Sequence, residues 1–81
     1  MKLLFSWDTK IGTFFIGRSS DGRFHPIFDN EGLGSYATVA QAVDDLVSNT
    51  TFSVLHPRTS DLVDTSALGL PEDWQEWNRL A

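Results

Sequence analysis

The chain has 81 residues and a mass of 9.1 kDa; 41% of the residues are hydrophobic and 21% charged, the composition of one small soluble globular domain with no length left for a second. Cysteine is absent, so disulfides, thiolate metal sites and cysteine nucleophiles are excluded together. The formal charge is −5, divided as +2 over residues 1–23 and −7 over residues 24–81; a negative long-range field repels phosphate backbones and attracts a basic protein surface.

Leu3–Trp7 reads as a first strand, closed by a turn at Asp8-Thr9-Lys10 and Gly12, and Thr13–Arg18 as a second. Arg23–Phe28 is the third. Between them Asp21-Gly22 suits the two positive φ values of a type I′ hairpin turn. With a two-residue turn there, Arg18 opposes His25 and Ile16 opposes Ile27. Phe15, Gly17, Phe24, Pro26 and Phe28 then share the core face, and the other face carries Phe14, Ile16 and Ile27 beside Arg18, Arg23 and His25. A turn at 29–32 and a short strand at Leu33–Tyr36 continue the meander.

Thr38 and Gln41 form a capping box that starts a helix over Thr38–Ser48. Val39, Ala42, Val43, Leu46 and Val47 give that helix its apolar face. Thr51–Leu55 alternates and is expected to return to the sheet before His56-Pro57 ends it. Residues 56–70 are loop-like. Pro71 opens a short C-terminal helix over 71–79, whose Trp74 and Trp77 dock in cis on the domain. The expected architecture is therefore one α+β domain spanning 1–81: an antiparallel β-meander of three to four strands, one helix packed on a face, and a short C-terminal helix.

No HExxH, EF-hand, P-loop or dinucleotide fingerprint occurs, and His25 and His56 sit in no nucleophile signature. No catalytic residue, metal site or cofactor is expected. The longest clear apolar runs, around Met1–Phe5 and Phe14–Ile16, fall short of the roughly 18 residues of a membrane span, and no signal peptide is visible, so a cytoplasmic location is expected. Candidate partner-binding residues are Phe14, Arg18, Arg23 and His25 on the amphipathic sheet face, with Asp44 and Asp45 on the helix. The adjacent aspartates lie about 100° apart on a helix and cannot converge as a catalytic pair; they offer an acidic surface to a basic partner. The leading expectation is a non-catalytic protein-binding domain, a monomer in preference to a homodimer. A single-stranded nucleic-acid module using Phe14, Arg18, Arg23 and His25 is the alternative, disfavoured by the net charge.

The run from Asp21 to Pro26, Leu33-Gly34-Ser35-Tyr36, Gln41-Ala42 with Asp44-Asp45-Leu46, and Leu68-Gly69-Leu70-Pro71 with Glu76-Trp77 together resemble a group of short bacterial proteins with no assigned function. Over about residues 12–55 the order of Gly22, Gly34, Thr38 and Ala42 is similar to the HicB antitoxin family, without the proline-containing turn usual before that family's helix and without its DNA-binding segment. This second resemblance implies a partial ribonuclease-H-like sheet that occupies a toxin, hence an antitoxin or inhibitor role.

Overall fold

Two long strands begin the chain, β1 (Lys2–Thr9) and β2 (Gly12–Arg18), and β3 (Phe24–Phe28) follows antiparallel to β2. The computed structural model describes residues 1–80. The β2–β3 turn differs from the sequence expectation. Gly22 N–H donates to the Ser19 carbonyl at 3.0 Å, Ser19 N–H donates to the Arg23 carbonyl at 2.9 Å, and Gly22 alone in this loop has positive φ, +83°. This is a three-residue loop in which a turn is followed by a left-handed glycine, rather than a two-residue type I′ turn. The added residue moves the register by one, so that Phe14 opposes Phe28, Ile16 opposes Pro26 and Gly17 opposes His25. Every β2 side chain therefore changes face relative to the expected pairing. Phe14 and Ile16 are fully buried on the helix side, where the Phe14 and Phe28 rings stack with centroids 4.4 Å apart. Phe15 faces the other way.

The type I′ geometry is found one turn later. Asp29 and Asn30 both have positive φ, +53° and +64°, and join Phe28 to Glu31 in β4 (Glu31–Gly32). The meander's last strand thus precedes the expected 33–36. That segment remains tied to β3 by a bridge between Tyr36 and Phe24, and Leu33 N–H donates to the Pro26 carbonyl at 2.8 Å. Pro26 is tolerated within β3 because a residue's N–H and C=O point to the same side of an antiparallel strand. The side that lacks its N–H is this short outer edge rather than the β2 ladder.

α1 (Val39–Val47) carries half of the expected capping box: the Thr38 hydroxyl accepts the Gln41 N–H at 3.1 Å, without a return bond from the Gln41 side chain among the described residues, and Ala42, Val43 and Leu46 are completely buried. Asn49, at φ +60°, ends it. The released Leu46 carbonyl receives the hydroxyl of buried Thr65, and the Asn49 side-chain oxygen accepts Thr65 N–H at 3.2 Å. A polar pin thereby joins the helix end to the following loop.

Two expected elements are replaced. The segment 51–55 does not rejoin the sheet: β5 (Val54–Leu55) pairs with β6 (Leu62–Val63) in a separate ribbon. Phe52 N–H donates to the Leu33 carbonyl at 2.9 Å where the segment passes β4. The proposed helix over 71–79 is a single 3₁₀ turn at Trp74–Glu76, begun by Asp73 and followed by β7 (Asn78–Arg79) on the free edge of β1. A segment this short gains more by pairing its backbone with an open sheet edge than by closing a marginal helix. Docking in cis is nonetheless realised. Trp77 is buried and its indole N–H donates to the Pro71 carbonyl at 3.0 Å, and Trp74 meets Phe5 edge-on with centroids 5.5 Å apart. The result is a five-stranded antiparallel sheet, order β4-β3-β2-β1-β7, with α1 on one face, a small α+β fold. Among the described residues no helix is long and apolar enough to cross a membrane.

Candidate functional site

The sheet face opposite α1 is where the chain leaves apolar surface unused. An extra residue in β1, between Leu3 and Phe5, reverses the side-chain alternation there. Phe5 is thus directed into the core opposite Ile16, while Leu3 emerges on the open face opposite Gly17. With Leu3 stand Phe15 and Ile27, which are paired across β2 and β3. Gly17 lies beneath them: a Cβ there would come within 2.6 Å of Met1 Sδ and 2.9 Å of Ile27 Cδ1, so the tips of those two side chains occupy the space that glycine leaves. Leu3 is 39% and Met1 66% exposed, and Phe15 and Ile27 are half-buried.

Met1, Leu3, Phe15 and Ile27 line a cleft of about 480 Å³ together with Ile11 of the β1–β2 turn and Pro57 of the β5–β6 loop. A smaller cleft of about 190 Å³ adjoins it, sharing Phe28, Asp29 and Pro57, and extends past Glu31 to Ser53 and His56. Gly32 notches the rim, with open space where a Cβ would stand.

Of the residues singled out from the sequence, Phe14 lies in the core and is out of reach of any partner. Its place on the open face is taken by Phe15, a direct consequence of the register. Arg18, opposite Phe24, falls on the helix side at an exposed strand end. Arg23 and His25 do share the open face with Ile27. Arg23 donates through Nε to the Ser35 hydroxyl at 2.6 Å and through its terminal nitrogen to the Ser35 carbonyl at 3.1 Å. His25 donates from Nδ1 to the Gly34 carbonyl, 2.8 Å, and its Nε2 lies 2.9 Å from the Ser19 hydroxyl.

Ser19 also bonds the Asp21 carboxylate. That hydroxyl, followed by the Arg23 N–H, holds the Asp21 carboxyl below the usual carboxylate range. A serine oxygen within reach of an imidazole has the pairwise geometry of nucleophile and base, which the sequence spacing alone does not disclose. Here the hydroxyl is shared with Asp21 inside the hairpin turn, and neither Ser19 nor His25 lines either of the two clefts. The group locks the turn.

Asp44 and Asp45 stay apart in role as well as direction. Asp44 is exposed, whereas Asp45 is half-buried beside the Tyr36 hydroxyl. Burial, reinforced by that carboxylate, pushes the Tyr36 hydroxyl up to about 12. No group of three or more His, Asp or Glu side chains that could hold a metal ion occurs among the described residues.

The fold and this face define a small α+β domain with one uncovered apolar sheet surface. Compared with family models, with curated proteins and with solved structures, the chain gives no match.

Proposed function

We propose that the chain is a non-catalytic protein-binding domain, of the kind that acts by occupying a partner, and that it binds through the open face of its sheet. The observation that carries this reading is the cleft over Leu3, Phe15 and Ile27, an apolar surface over which no helix of the described residues packs. A cluster of this kind gains about 25 cal/mol for each Å² of apolar area that a partner covers. The acidic balance of the chain favours a basic partner and adds encounter rate more than affinity. Arg23 and His25 extend the same face but are already held by Ser35, Gly34 and Ser19, so they shape the surface rather than reach out from it.

Site-specific photo-crosslinking in the cell of origin tests this. A photoreactive residue at Leu3 is expected to give a discrete protein adduct that excess unmodified chain competes away, while one at Asp44 gives none. Absence of a competable adduct at Leu3, or an adduct at Asp44 alone, overturns the proposal.

A further inference from the structure

The two adjoining clefts differ in chemistry, and the difference specifies what they accept. The larger is floored by Leu3, Phe15 and Ile27. The smaller continues from it across Asp29 and Pro57 and is lined by Glu31, Ser53 and His56. Among the described side chains that line either cleft, Asp29 and Glu31 are the only ones with a full charge, and both are exposed carboxylates. Asp29 stands at the junction, fixed in a left-handed conformation by the two-residue turn.

An apolar seat followed by an acidic one suits alternate side chains, i and i+2, of an extended polypeptide, because those two project to the same face. The notch at Gly32 leaves room for that backbone to approach the rim. Exposed Leu55 borders the acidic end, and exposed Leu62 pairs with it across the ribbon, so apolar surface continues along that flank.

We infer that the groove binds an extended segment of a partner protein in which a large apolar side chain is followed two positions later by lysine or arginine, the apolar group seated over Phe15 and Ile27 and the cation facing Asp29 and Glu31. The inference rests on the open face being the docking surface and adds the chemistry of its occupant.

The probes are three capped pentapeptides titrated into the ¹⁵N-labelled full chain: Leu-Leu-Phe-Lys-Lys, the same with two glutamates for the lysines, and Gly-Ser-Gly-Lys-Lys. The first is expected to shift the amides of Phe15, Ile27 and Gly32. It should bind roughly two- to fivefold more tightly than the second, the range that exposed ion pairs supply. The third should leave those amides unmoved. In the double variant Asp29→Asn, Glu31→Gln, the first two peptides should bind equally.

If the acidic peptide binds wild type as well as the basic one, or the preference survives in the double variant, the charge assignment is wrong and the open face still stands as a docking surface. If neither apolar peptide moves these amides, both readings fall. If the same amides shift with protein concentration alone, and the mass in solution doubles, the occupant is a second copy of the chain and the inference is overturned.

Discussion

Tyr36 shows how much a single side chain takes from its surroundings. Its ring lies against Gly34, where a Cβ would come within 2.7 Å of the ring, and its hydroxyl lies beside Asp45. Both circumstances favour the neutral phenol, and its pKa rises from 10.0 to about 12. A group raised on folding contributes stability that is fully present below the unfolded value and lost as pH rises through the folded one. Tyr36 therefore contributes up to about pH 10, and its contribution disappears between pH 10 and about 12. Spectrophotometric titration of the phenolate should find the folded midpoint near the upper value. Asp45→Asn should bring it down towards 10 without abolishing the shift, because burial is the larger cause. A midpoint unchanged in that variant would assign the whole displacement to burial. None of this is visible in the sequence, where Tyr36 and Asp45 are separated by a turn and the start of a helix.

At the scale of elements, the sequence is most informative where one residue decides one hydrogen bond. Thr38 and Asn49 bound α1 because each meets a specific backbone need at a helix end. The hairpin is harder to read, since Asp21-Gly22 fits a two-residue loop and equally the end of a three-residue one. What decides between them is burial. The three-residue loop directs Phe14 and Ile16 into the core, while the alternative would direct Phe15 and Gly17 there and forfeit one large side chain, worth about 1.5–3 kcal/mol. The candidate site inherits this ambiguity: the sequence groups Ile27, Arg23 and His25 on one face, but it does not say whether that face is open or covered by the C-terminal segment, and the ring it presents is Phe15. Deleting Ser20 should enforce the shorter loop, reverse the faces of β2 and abolish the cooperative thermal transition. A Ser20 deletion variant that still melts cooperatively, with an unchanged amide spectrum for Phe14 and Ile16, would contradict the register argument. The segments 51–55 and 71–79 were misread for another reason. Their partners, β6 in a separate ribbon and the edge of β1, are distant in sequence from the local patterns that suggest a sheet strand and a helix.

For the molecule as a whole, the core is completed by its last residues. Trp77 is 4% exposed in the same cluster as Phe5 and Leu70, and a small domain has little other apolar area to replace it. Trp77→Ala should lower the unfolding free energy in urea by about 3–5 kcal/mol. A loss below 1 kcal/mol would show that the tail is a mere appendage. The sheet is also flanked at both margins by two-residue strands, β4 on Ile27 and Phe28 of β3 and β7 on Phe5 and Ser6 of β1, which cover those stretches of edge against a stray chain. These two closures are unequal in time. β4 follows β3 by a tight turn and can form as soon as residue 32 is made, whereas β7 pairs Arg79 with Phe5. During synthesis, the margin of β1 therefore stays unpaired until nearly the whole domain has left the ribosome. Throughout that interval a nascent chain carries its central hairpins with one flank bare, and chaperone capture or chain-to-chain adhesion is concentrated on β1.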